Sequence, residues 1–187
     1  MKFRLIALCC FLYTTSMIGQ ALEVGDQLPH FNAKDENGAT WNSDQVKSTF
    51  TVFYFYPAAM TGGCTKQACA YRDSNEEFND LDVTVVGISG DEPQNLKHFK
   101  NSYSLNFPLL SDVKGELATL FGVSMRDGGT ISREIDGASI DFFRGVTTSR
   151  WTFVIDSNRK IIYKNNKVNA SEDSATVLQL IKEHKAR

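Results

Sequence analysis

Charge of one sign is in short supply in this chain of 187 residues, where 20 Lys+Arg stand against 22 Asp+Glu for a net −2. With no basic surplus, nothing in the overall electrostatics favours nucleic acid or an anionic membrane surface. Cysteine is scarcer still. The four, at positions 9, 10, 64 and 69, are too few for a disulfide-stapled miniprotein and lack the paired spacing of a zinc module. His30, His98 and His184 are scattered, giving neither a metal-ligand cluster nor a Cys-His protease pair. There is no phosphate-cradling glycine loop and no dinucleotide fingerprint, so no metal and no cofactor is expected. The composition that remains is that of one ordinary globular domain, long enough to bury a core.

The apolar run from Leu5 to Tyr13 covers nine residues, against the roughly 20 that a membrane-spanning helix needs. It follows the positive Lys2 and Arg4 and precedes the small residues of Gly19-Gln20-Ala21. That order is the pattern of a secretory signal cleaved after Ala21. Cleavage removes Cys9 and Cys10, leaving a domain over 22–187 with Cys64 and Cys69, exported to a periplasmic or extracellular setting where thiols tend to be oxidised.

Residues 25–42 are polar and rich in turn residues, and Asn37-Gly38 predicts a small N-terminal hairpin. The run Phe50 to Tyr56 is made of β-formers without alternation, as in a strand buried on both faces. A loop containing Gly62-Gly63 leads to a helix expected over 65–81, with Ala68, Tyr71 and Phe78 on one face. Strands are expected at 83–89 and 107–110, with helices at 93–103 and 113–121. A hairpin (151–156 and 160–164) and a closing helix over 172–184, with Ala175, Val177, Leu178, Leu180 and Ile181 in its stripe, complete the pattern. Strand and helix in succession imply parallel pairing with crossovers, hence one α/β domain on a central mixed sheet. Residues 126–149 read as a polar insertion in which Arg126, Arg133 and Arg144 are solvated. Asp136-Gly137 is placed to turn a second hairpin there.

The loop after Pro57 delivers Thr61, Gly62, Gly63 and Cys64 to the start of a helix. Unpaired N–H groups and the positive end of the helix dipole stabilise a thiolate at that position, and the thiolate is the reactive form of cysteine. The glycines admit a small substrate close to the backbone, and the Thr61 hydroxyl can donate to a bound oxygen or accept from the thiol. Taken alone, the better reading is that Thr61 is a helix cap and Cys64 a small buried residue. Cys69 changes the balance. Five residues along a helix separate the two Cα atoms by about 8.7 Å, beyond the roughly 7 Å that a disulfide tolerates. Pairing therefore requires the turn between them to unwind, which is the behaviour of a catalytic pair rather than of a staple.

The segment Tyr56-Pro57-Ala58-Ala59-Met60-Thr61-Gly62-Gly63-Cys64-Thr65-Lys66-Gln67-Ala68-Cys69 resembles the active-site signature of the peroxiredoxins. Within them it is similar to the atypical two-cysteine type, the bacterioferritin comigratory proteins. Similarity continues through Arg72-Asp73, GIS at 87–89, FPLLSD at 107–112 and Arg150 before TFVID. The resemblance implies a thioredoxin-like fold and a peroxidase acting on hydrogen peroxide and organic hydroperoxides. Cys64 would become a sulfenic acid, Cys69 would resolve it as an intramolecular disulfide, and a thioredoxin-like dithiol protein would reduce that bond. Arg150 would sit beside Cys64 and polarise the peroxide. Thr61 and the N–H groups of Gly63 and Cys64 would hold its oxygens, and Pro57 would shield the site. An intramolecular pair is compatible with a monomer. Two departures stand out: Gly62 replaces a customary proline, which should loosen the loop, and the 126–149 connection is long.

Two other readings are open. A thiol–disulfide oxidoreductase would use Cys-x-x-Cys rather than this spacing. A non-catalytic redox-sensing module of the same fold would be expected to lack Cys64, Thr61 or Arg150, and all three are present. Arg72 is either a brace for Arg150 or a plain surface ion pair. Trp41 and Trp151 read as core or rim residues.

Overall fold

The computed structural model describes residues 21–135 and 137–186, so the signal-type segment lies outside it apart from Ala21. The order is β1 (Asn32–Asp35), β2 (Thr40–Asn42), β3 (Phe50–Phe55), α1 (Gly62–Asp73), α2 (Asn75–Asp80), β4 (Val83–Ser89) and α3 (Pro93–Ser102). Then come β5 (Leu109–Ser111), α4 (Glu116–Phe121), β6 (Met125–Ile135), β7 (Ala138–Thr148), β8 (Trp151–Asp156), β9 (Ile161–Asn165) and α5 (Asp173–Lys185).

β3 is central because every one of its residues is buried. It pairs parallel with β4 and antiparallel with β8, within a seven-stranded sheet of order β2-β1-β5-β4-β3-β8-β9. Successive side chains enter opposite faces, each covered by helices. Val52, Tyr54 and Tyr56 join Ala68, Tyr71, Phe99, Val177 and Ile181 on one side. Phe53 and Phe55 join Leu117, Phe121 and Phe153 on the other. Two apolar faces are why the strand shows no polar alternation in sequence. Trp41 and Trp151 are half-buried against the second cluster.

Three expectations are corrected. The helix expected over 65–81 begins at Gly62 and breaks at Ser74 into α1 and α2, within a run, Asp73-Ser74-Asn75, of residues with low helix propensity. In α5, Ala175 is exposed while Asp173 and Ser174 are buried. The 126–149 insertion does form the expected two-stranded hairpin, β6 with β7, in register from Met125↔Thr148 to Ile135↔Ala138; what is corrected is its solvated character, since it lies against the body of the protein. Phe142 is fully buried, and Asn95 Nδ2 and the Glu92 N–H both donate to the Phe143 carbonyl. Gly145 permits the approach, since a Cβ there would sit 2.1 Å from the Val113 carbonyl oxygen.

Candidate active site

Cys64 is the third residue of α1. Thr61 holds the N-cap in extended conformation (φ −109°, ψ 146°), and the N–H groups of the first turn, those of Gly63 and Cys64 included, have no intrahelical acceptor. The preceding loop is fixed at several points. Thr148 Oγ1 donates to the Tyr56 carbonyl at 3.0 Å, and the Ala59 N–H donates to Asp91 Oδ2 at 2.8 Å. Arg133 Nε, from β6, donates to the Met60 carbonyl at 3.1 Å. Met60 itself is held in the left-handed region at φ 60°, a conformation that an unbranched residue adopts only when its surroundings impose it. A Cβ at Gly62 would meet nothing within 4 Å. The loop before it is held by hydrogen bonds to Asp91 and from Arg133.

The Cys64 side chain is 1% exposed, with Arg150 Nη2 3.3 Å from its sulfur. The guanidinium thus donates directly to the sulfur and sets a positive charge beside it. Gly63 gives the arginine room, since a Cβ there would lie 3.4 Å from Nη2. The second guanidinium nitrogen, Nη1, donates to Gln67 Oε1 at 2.5 Å. Gln67 passes the interaction on, its Nε2 donating to Asp173 Oδ2 at 2.7 Å. Tyr71 OH at 2.7 Å and Thr152 Oγ1 at 2.8 Å donate to the same oxygen. Burial pushes the Asp173 carboxyl above its usual range, against the pull of these three donors and of Arg150. Asp91 is raised for the same reason, opposed by the Ala59 N–H and the Ser89 hydroxyl.

The Thr61 hydroxyl donates to the Ala58 carbonyl at 2.9 Å. Its proton is thus committed, and toward a ligand it offers lone pairs rather than a donor. Pro57 is half-buried and lines a recess of about 370 Å³ with Met125, Arg126 and Thr148. Cys69 is half-buried on the same helix as Cys64, and both are free thiols. Arg72 does not reach Arg150: it pairs with Asp73 and donates to the Tyr103 carbonyl. Of the three arginines expected in solvent, Arg126 is exposed, whereas Arg133 grips the loop and Arg144 is half-buried, bonded to Thr147.

Gly63 and Cys64 therefore meet Arg150 at the start of α1, with Thr61 as the N-cap, while Pro57 borders a recess with Met125 and Thr148. The AhpC/TSA family profile matches residues 24–164. The chain belongs to the AhpC/TSA family of peroxiredoxins. This peroxiredoxin is 33% identical over 162 residues to peroxiredoxin Bcp of Bacillus subtilis, covering 87% of this chain and 96% of that protein. Chloroplastic peroxiredoxin Q of Populus jackii is 41% identical over 143 residues, 75% of this chain but 60% of the plant protein's length. Among solved structures, peroxidoxin BcpB of Mycobacterium tuberculosis superposes with a TM-score of 0.72 at 31% identity, over 87% of this chain and 97% of that one. A Xylella fastidiosa PrxQ mutant, with a TM-score of 0.75 at 22% identity over 89% of this chain and 99% of that one, shares the fold.

Gln67, Tyr71, Thr152 and Asp173 were not singled out in the sequence as parts of a site. Gln67 carries a faint signal, being three residues after Cys64 and so on the same helical face. Trp151 follows Arg150 directly, with Lys164 Nζ 4.9 Å above its ring.

Proposed function

We propose that this chain is a thiol peroxidase that reduces hydrogen peroxide and organic hydroperoxides. The observation that carries the reading is the Arg150 guanidinium at 3.3 Å from a cysteine sulfur in the first turn of a helix. The Cys64 thiolate attacks one peroxide oxygen; the O–O bond breaks, sulfur is oxidised to the sulfenic acid, and the departing oxygen leaves as an alcohol or water after taking a proton. Arg150 and the Gly63 and Cys64 N–H groups donate to the oxygens as negative charge develops, and Thr61 accepts from the peroxide O–H. Cys69 then condenses with the sulfenic acid, forming a disulfide and releasing water. A thioredoxin-like dithiol protein reduces that bond by exchange.

The near-complete burial of Cys64 favours this over direct exchange with protein disulfides, which needs a sulfur at the surface. An intramolecular pair supports a chain working as a monomer. The signal-type segment 1–21 supports export, and N-terminal sequencing of secreted material is expected to start at Leu22.

The test uses purified protein with hydroperoxide and Cys69→Ser. The parent should form one intramolecular 64–69 disulfide by mass spectrometry, and the variant should complete a single turnover and accumulate a trappable sulfenic acid. An intermolecular dimer instead would remove Cys69 from the resolving role. Arg133→Ala should slow peroxide consumption several-fold by freeing the Met60 carbonyl, while shifting stability by no more than about 0.5–1 kcal/mol. An unchanged rate would show that the β6–β7 hairpin does not hold the loop.

A further inference from the structure

We propose that Asp173 is a positioning residue for this reaction: through Gln67 it sets Arg150 against Cys64 and latches the turn that must unwind before Cys69 can reach it. The inference rests on the peroxidase reading. Asp173 opens α5, is 2% exposed, and takes all three of its hydrogen bonds on Oδ2. Its Oδ1 is buried and has no partner among the described residues. Two of the donors, Gln67 and Tyr71, belong to α1, and the third, Thr152, belongs to β8. The carboxylate thus ties the helix bearing both cysteines to a strand of the central sheet.

Gln67 lies between Cys64 and Cys69, so unwinding that stretch takes it from Asp173 and from Arg150 together. An amide is the side chain suited to this place, donating through Nε2 to a carboxylate while accepting on Oε1 from a guanidinium. While Gln67 is held, Arg150 faces the sulfur and the first oxidation is fast. The same closed helix leaves the sulfenic acid open to a second hydroperoxide. In that side reaction Cys64–SOH and ROOH give Cys64–SO₂H and ROH, sulfur being oxidised again and the peroxide reduced. Release of Gln67 permits the alternative, in which Cys64–SOH and Cys69–SH give the disulfide and water. The strength of the latch therefore decides how the sulfenic acid divides between these two fates.

Asp173→Asn is a clean probe of charge. Its carbonyl oxygen can replace Oδ2, and its amide nitrogen falls where Oδ1 now has no partner. Hydrogen bonds to a neutral acceptor are about half as strong as those to a carboxylate. Thr152→Val acts oppositely: with the β8 donor gone, the carboxylate depends more on Gln67, and losing it becomes harder. Full-length protein and both variants would be followed by quenched-flow mass spectrometry at several hydroperoxide concentrations. Asp173→Asn is expected to slow sulfenic acid formation several-fold, to speed disulfide formation about tenfold, and to lower the sulfinic fraction at high peroxide. Thr152→Val should slow disulfide formation several-fold.

Both substitutions weaken the fold, so a purely structural Asp173 would move the disulfide step the same way in each. Rates shifted in one direction, or not at all, overturn the latch. If Asp173→Asn does not fold, Thr152→Val decides alone: slower disulfide formation supports the latch, and an equal or faster rate overturns it. A parent protein that consumes no peroxide overturns the peroxidase reading and the latch with it, whereas a normal parent with unresponsive variants overturns the latch only.

Discussion

Replacing Cys64 with serine is expected to reduce peroxide consumption to the rate of the uncatalysed mixture. A hydroxyl beside Arg150 can accept the same hydrogen bond that the sulfur now accepts at 3.3 Å, so the pocket and the fold should survive the change. What is lost is the nucleophile. A serine hydroxyl does not ionise near neutral pH in the absence of a base, and among the described residues no histidine lies within hydrogen-bond range of position 64 to supply one. Peroxide disappearance followed by a ferrous-dye assay, with a thermal melt to establish folding, is the measurement. A folded Cys64→Ser protein that consumes peroxide at the parental rate would refute the assignment of the reactive sulfur.

Replacing Arg150 with methionine keeps most of the side chain's volume and removes its charge and donors. The second-order rate with peroxide should fall about 10²–10³-fold, the usual loss when one preorganised donor to a developing oxyanion is deleted. Two effects combine. The thiolate loses its counter-ion, and Gln67 loses the donor to its Oε1. Rapid-mixing kinetics across a pH series measures the loss. An unchanged rate at every pH would remove Arg150 from the chemistry.

Much of the framework can be read directly from residue order. β3, β4 and β8 are legible because strands covered on both faces must be continuously apolar, and FTVFYF, VTVVGIS and WTFVID are close to that. Thr61 and Cys64 at the start of α1 follow from the signature and its spacing, whereas Arg150 beside Cys64 follows only from the family resemblance. The start of α1 is less legible, because Gly62-Gly63 has poor helix propensity and reads as loop. Those glycines are nonetheless helical, and the arginine packs against the second of them. The Gln67–Asp173 contact spans 106 positions, and no periodicity reports it. A buried carboxylate in an otherwise apolar stripe becomes intelligible only when its three donors converge in space. The attachment of the β6–β7 hairpin, as distinct from the hairpin itself, is hidden for a related reason. The hairpin sequence is polar, yet Phe142 and Arg133 attach it to the body and to the catalytic loop.

Trp151 is joined by a single peptide bond to the arginine that faces Cys64, and Lys164 lies over its indole. The other indole of the chain, Trp41, sits on β2 at the far edge of the sheet. Replacing Trp41 with phenylalanine would leave Trp151 as the one indole, packed against the face of the sheet opposite Cys64 and linked to the site through the Arg150 backbone. Its intensity should then change when Arg150 shifts or a neighbouring charge disappears, so the backbone carries its own optical gauge for each step of a turnover, with no dye attached.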